Sequence, residues 1–284
     1  MNSVSAYARA YAVVIAVASV FATTSALACA PPPHLSSAFH AESFVALPGC
    51  DGPNLPGCTA TGVSAAWYDQ PTERYRHAVL GDAIEGGGLS AYTNQTASDC
   101  AVRSVTLDAA HVFEDVAPRL ADLDGDGRME IVTVRSHRDQ GAQLAIWGTA
   151  PDADSLMLIA ATPYIGRTNR WLAPAGIGDL DGDGFVEIAY VDRPHLAKIL
   201  RVWRFRDGGL EEVTSLNNVT NHRIGERDIA GGLRDCGDGP EIILADAGWD
   251  DLLAVRLEDD RLTPRPIAPH QGRESFRQAL GCAF

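Results

Sequence analysis

Two short stretches of this chain gather acid side chains at a spacing that suits a hard cation. In the first, Asp122, Asp124 and Asp126 alternate along DLDGDG, Gly127 allows a sharp turn and Glu130 stands at loop position nine. The second repeats the arrangement with Asp179, Asp181, Asp183, Gly184 and Glu187. Carboxylate oxygens at positions 1, 3 and 5 of a glycine-kinked turn, with a backbone carbonyl at position 7, form a donor set that calcium selects. Here that carbonyl belongs to Arg128 or Phe185. A closing carboxylate at position nine instead of twelve separates the pattern from an EF-hand. Asp and Gly are also common in plain hydrophilic turns. Two carboxylates about 4 Å apart, however, repel by roughly 4 kcal/mol at an effective dielectric near 20, so four of them in each of two nine-residue loops require a cation. Two structural Ca²⁺ sites are expected, with the weak affinity of extracellular modules, on the order of 0.1 to 1 mM.

A fainter constellation is shared by TNRW (Thr168 to Trp171) and TNHR (Thr220 to Arg223). Asn169, Arg170, Trp171, His222 and Arg223, with Glu226 close by, offer aromatic, guanidinium and carboxylate groups to one rim, as a polar ligand such as a glycan or peptide needs. The simpler account is that Asn and Thr cap turns and that Trp171 packs between units. His222 has acid–base partners within reach in Glu226 and Asp228, a weak catalytic signal in itself. The chain has no GxSxG and no HExxH, and GDAIEGGG (Gly81 to Gly88) precedes a strand, which makes it a hairpin turn and not a phosphate cradle. Two functions therefore stand side by side: a module that binds a protein or glycan partner, and an exported carbohydrate hydrolase or lyase using Asn169, Arg170, His222, Arg223 and Glu226. No catalytic residue is assigned.

The elements that carry these groups are repeated. APRLADLDGDGRMEIVTV (Ala117 to Val134) and APAGIGDLDGDGFVEIAYV (Ala173 to Val191) nearly duplicate each other, with their first aspartates 57 residues apart. Each leads into an apolar strand (EIVTV, EIAYV), a second with a tryptophan (QLAIWG, LRVWRF) and a third (LMLIAATPYI, LEEVTSL). Fainter copies begin at Arg76 (RHAVLGDAI) and Ile229 (IAGGLRDCGDGPEIILADA). Four units of such short strands, separated by Gly, Asp, Asn and Pro turns, bury their faces by stacking as small sheets. The expected fold is all-β, a β-propeller of four blades with four antiparallel strands each. In the last unit Asp235, Asp238 and Glu241 survive with a residue missing and Cys236 inside the loop; in the first, Asp69 to His77 lacks the aspartate ladder. Neither is expected to hold calcium well.

The AP…DLDGDGxxEI pattern with its tryptophan-bearing strand resembles the FG-GAP/VCBS repeats of integrin-α-like β-propellers, over Val63 to Ala268. The resemblance implies a propeller fold and calcium in the two loops named above. Integrin-type propellers have seven blades where this chain has residues for four, so that family's closure and ligand surface do not carry over.

The N-terminus reads as an export signal. Arg9 precedes an apolar run, YAVVIAVASVFA, and Ala26-Leu27-Ala28 supplies small residues for cleavage after Ala28. Cysteine directly after the cleavage site also meets one requirement of a lipoprotein, but Ala26 and Leu27 stand in the reverse of the usual order. Lipid anchoring through Cys29 is therefore the lesser reading. No other segment approaches transmembrane length, so a secreted or periplasmic product is expected. Its six cysteines fit an oxidising compartment; fifteen pairings are open, of which Cys50–Cys58, Cys236–Cys282 and Cys29–Cys100 are expected. Residues 1–28 are then signal, 29–62 an irregular lead and 63–284 the propeller, with a short helix expected in RESFRQALGCAF. Lys and Arg number 23 against 37 Asp and Glu, a formal charge of -14, which leaves no basic footprint for nucleic acid.

Overall fold

Among the described residues, runs of β-branched and aromatic residues broken by Gly, Asp and Asn turns become antiparallel strands. The computed structural model describes residues 43–47, 62–94, 101–149 and 155–284. Its first sheet has nine strands: β1 (Val45–Ala46), β2 (Gly62–Thr72), β3 (Glu85–Asn94), β4 (Ala101–Thr106), β5 (His111–Phe113), β6 (Arg119–Ala121), β7 (Glu130–His137), β8 (Gly141–Gly148) and β9 (Met157–Ala161). The second sheet follows chain order through β10 (Leu172–Gly178), β11 (Val186–Asp192), β12 (Ile199–Arg206) and β13 (Gly209–Asn217). The third comprises β14 (Val219–Thr220), β15 (Gly232–Asp235), β16 (Pro240–Asp246), β17 (Asp251–Glu258) and β18 (Arg261–Pro269), and helix α1 (Arg273–Leu280) comes last.

The sheet β10–β13 is the four-stranded unit read from the sequence. The first two units differ in that short β5 pairs with both β3 (Gly86 with Phe113) and β7 (Phe113 with Arg135), which joins them into one hydrogen-bonded sheet.

Packing follows from the period of two along a strand. On β11, Ile188 and Tyr190 face Val132, Val134, Leu144 and Ile146 of β7 and β8. The intervening Ala189 and Val191 face Ile242 and Leu244 of β16. Likewise Ile131 turns away from Val132 to pack with Tyr68 and Leu89 of β2 and β3, and Ile243 and Ala245 turn to α1 through Phe276 and Ala279. Successive units thus stack face to face, and full burial of each such aliphatic side chain contributes roughly 1.5–3 kcal/mol. The repeated tryptophans belong to this packing: Trp147 donates its indole N–H to Thr133 Oγ1 at 2.9 Å and Trp203 to the Tyr190 hydroxyl at 3.1 Å, so both are buried without an unpaired donor.

Cys236 and Cys282 form the expected disulfide, with Cα atoms 5.7 Å apart, and fasten α1 beside β15. The pairings expected for Cys29, Cys50, Cys58 and Cys100 lie outside the described residues, as do the signal at 1–28 and most of the lead. Among the described residues no helix is long and apolar enough to cross a membrane.

Candidate functional site

The two acid loops close the β6–β7 and β10–β11 hairpins, and their internal hydrogen bonds coincide. Asp122 accepts from the N–H groups of Gly125 (2.8 Å) and Gly127 (2.9 Å), as Asp179 does from Gly182 (2.7 Å) and Gly184 (3.1 Å). Asp124 accepts from the Asp126 N–H and Asp126 from that of Arg128, repeated by Asp181 with Asp183 and by Asp183 with Phe185. Glu130 Oε2 accepts from Leu123 N–H at 2.9 Å and Glu187 Oε2 from Leu180 N–H at 2.8 Å. Gly127 and Gly184 stand at φ 84° and 90°, where a side chain is strained.

These bonds bring one oxygen each of Asp122, Asp124 and Glu130 within 4.8 Å of one another, and likewise Asp179, Asp181 and Glu187. Asp126 and Asp183, also expected as ligands, lie outside these triplets and are exposed. Two clusters of hard, all-oxygen donors result, which fit a metal ion. Burial pushes the Glu130 carboxyl up to about 7, and the three neighbouring aspartates push the same way. Burial also raises Glu187, opposed by Arg204.

The loops differ in their surroundings. Arg204 on β12 reaches into the second, with Nε 2.6 Å from Glu187 Oε1 and a terminal nitrogen 2.6 Å from Asp181 Oδ2. In the last unit Glu241 takes three guanidinium groups: Arg234 on Oε2 at 2.8 Å, and Arg256 and Arg265 on Oε1 at 3.0 Å each. Burial raises its carboxyl, but the three arginines outweigh that and hold it at about 2.

The opposite ends of the same strands form a cavity of about 280 Å³. Asn169, Arg170 and Trp171, just before β10, share its wall with Arg193 and His195, just after β11, and with His77 from the first unit. Leu196 and Ile224 form its lips, 63% and 72% exposed. Trp171 is fixed from behind: its indole N–H donates to the Glu114 carbonyl at 2.8 Å, its face stacks on His195 and its ring meets the edge of His222.

His222 is buried one layer below the wall. Its Nε2 lies 2.9 Å from the Glu226 carbonyl oxygen, which only accepts, so Nε2 carries the proton; Nδ1 then accepts from His195 Nε2 at 3.0 Å. Burial lowers both imidazoles, His195 to about 4, and the pair is neutral at physiological pH. His77 Nδ1 lies 2.5 Å from Glu114 Oε1, and the other oxygen of this buried carboxyl accepts from the Ser136 hydroxyl.

The expected rim is therefore divided. Asn169, Arg170 and Trp171 line the cavity and His222 supports it from beneath. Arg223 instead lies over the Trp249 ring, 4.4 Å from its centroid, and Glu226 pairs with Arg273 of α1. His77 and His195 belong to no motif in the sequence. Their available signal was position, since His195 stands three residues past β11, one strand length from the acid loop.

Residues 122–190 match the family model described as FG-GAP-like repeat. No curated protein matches the chain. Among solved structures, a putative 6-phosphogluconolactonase from Bacteroides uniformis is similar at 14% identity and a TM-score of 0.37, over 65% of this chain and 52% of that one. This chain thus spans about half the length of that protein, at a likeness too low to carry an argument. The match from Asp122 to Tyr190 takes in both acid loops and the strands between them, and this chain carries an FG-GAP-like repeat.

Proposed function

We propose that this protein is an exported, calcium-binding β-propeller of four units that acts as a binding module. Calcium is held in the loops at Asp122 and Asp179, and a protein or glycan ligand is taken in the cavity walled by Trp171. The observation that carries the reading is the duplication: two loops 57 residues apart repeat one hydrogen-bond pattern and leave equivalent carboxylate triplets with oxygens within 4.8 Å of one another. Hard oxygen ligands on a short flexible loop suit Ca²⁺ better than Mg²⁺, which demands near-ideal octahedral geometry. Asp122, Asp124 and Glu130, and their counterparts Asp179, Asp181 and Glu187, would hold the ion. When bound it supplies the positive charge that makes such crowding tolerable. Export is supported by the signal-like first 28 residues and by the Cys236–Cys282 disulfide.

The cavity favours a ligand with polar and apolar parts. Arg170 has no carboxylate partner among the described residues, Asn169 lines the rim, and Leu196 and Ile224 offer apolar contact. A glycan and peptide binding screen with Ca²⁺ and with EGTA tests the reading. Binding that Trp171→Ala or Arg170→Ala abolishes is expected; binding indifferent to both variants would place the ligand elsewhere.

The second reading, a carbohydrate hydrolase or lyase, draws on one observation. His77 is oriented by buried Glu114 while its ring lines the cavity, the arrangement of a base with its orienting group. Turnover of a neutral or acidic polysaccharide that disappears in His77→Gln would replace the binding-module reading with this one.

A further inference from the structure

The three loop glutamates occupy equivalent places in their sheets, and what faces them across the neighbouring strands changes in one respect. Glu130 lies opposite Ala121 on β6 and, one step beyond the Ile131–Trp147 pair, opposite Gly148 on β8. Glu187 lies opposite Gly178 on β10 and Arg204 on β12. Glu241 lies opposite Arg234 on β15 and, one step beyond the Ile242–Val255 pair, opposite Arg256 on β17. The flanking guanidinium groups thus number none, one and two, and Arg265 of β18 adds another to the last loop.

Resting on the metal-binding reading above, we infer that arginine side chains stand in for the divalent cation in graded fashion. The loop at Asp122 is the open, tighter site. Arg204 turns the loop at Asp179 into a weaker site, where guanidinium and cation compete for Glu187 Oε1 and Asp181 Oδ2. Arg234, Arg256 and Arg265 fill the last loop, which takes no metal.

The loops differ in which carboxylate oxygens are available. In the first loop Glu130 Oε1 and Asp124 Oδ2 have no donor among the described residues, whereas the corresponding oxygens of the second loop are both held by Arg204 at 2.6 Å. Calcium needs such oxygens at roughly 2.3–2.6 Å, and an oxygen held by a guanidinium at hydrogen-bond length is not free to give that contact in full. Asp260, 3.5 Å from another Arg204 nitrogen, offers the displaced guanidinium a seat.

In the last unit both Glu241 oxygens are taken, and Asp235 Oδ1 accepts from the N–H groups of Gly237 and Gly239. Arg234 also donates to the backbone oxygens of Ala279 (2.6 Å) and Phe284 (2.8 Å). Beside the Cys236–Cys282 bond, a loop built on the metal-site plan has become a clasp for α1.

Calorimetric titration of Ca²⁺ into the full chain tests this. Two sites are expected, with dissociation constants differing by about tenfold or more, as the count of ligand charges tunes such loops. Asp124→Ala should remove the tighter site, and Arg204→Ala or Arg204→Gln should bring the weaker to within about threefold of it. Gly148→Arg should weaken the first site; Gly148→Ala serves as its control, because any Cβ there meets Ile159 and must displace it. Two equal sites that Arg204→Ala leaves unchanged, or a third site in the wild type, would overturn the inference and leave the metal reading standing. No binding by either the wild type or Arg204→Ala would overturn both.

Discussion

The two ends of the β10–β11 hairpin handle polar groups in opposite ways. At one end, carboxylates crowd in exposed turns, held by backbone N–H groups and, in two of three units, by arginine. At the other, imidazole, indole and carboxyl groups are buried and satisfied by one another, as His222 is by His195 and Glu226, and Glu114 by His77 and Ser136. Charge at the first end is balanced by a cation, whether metal or guanidinium. At the second, burial favours the neutral forms of His195, His222 and Glu114. The acid end is thereby suited to fixing turns, and the cavity end, with exposed Leu196 and Ile224 above a rigid floor, to meeting a ligand.

The largest effect is expected where the acid end has made its cation from protein. Arg234→Ala leaves buried Glu241 with Arg256 and Arg265 on Oε1 but without a partner for Oε2, and releases the backbone oxygens of Ala279 and Phe284, a loss of about 3 kcal/mol, read as a lower chemical-unfolding midpoint. An unchanged midpoint would show that the arginine cluster is ornament.

The cavity end should answer to pH with the opposite sign. Glu85, at the start of β3, is pushed up to about 10 by burial and then by Glu114, Asp82 and Asp115. The folded state therefore holds a proton that the unfolded chain releases near 4.5. Its stability contribution is fully present below that value and declines as pH rises towards 10. Glu85→Gln should flatten the fall in stability between pH 5 and 8, by on the order of a few kcal/mol; a parallel pH profile would contradict the protonated carboxyl. Smaller still, Trp171→Phe removes the indole bond to the Glu114 carbonyl and should cost about 1 kcal/mol. Ile224→Ser, at an exposed lip, should change stability by less than about 0.5 kcal/mol while weakening any cavity ligand, as titration by intrinsic fluorescence would register.

The contrast also explains what could be read in advance. An acid loop is nine consecutive residues whose spacing states its chemistry, and the tryptophans of β8 and β12 mark strands by simple alternation. The cavity is assembled across units: His77 meets Glu114 over 37 positions of sequence and Trp171 meets the Glu114 carbonyl over 57. Arg223 and Glu226, neighbours of His222 in sequence, were drawn off by Trp249 and Arg273, partners that only the third sheet and α1 supply. The sharing of one sheet by the first two units depended on the three residues of β5, too short a run to declare its pairing. Arg204 and Arg256 were equally silent, because their role depends on strand register and not on any local motif.

The most direct test is the thermal unfolding of the wild-type chain and of an Asp124→Ala, Asp181→Ala double variant, in Ca²⁺ and in EGTA. Calcium bound only by the folded state raises the melting temperature with concentration, an effect of about 2.7 kcal/mol at a hundredfold excess over Kd. That rise is expected in the wild type and its loss in the double variant. A double variant that still responds fully to calcium, with wild-type sensitivity to EGTA, would contradict it.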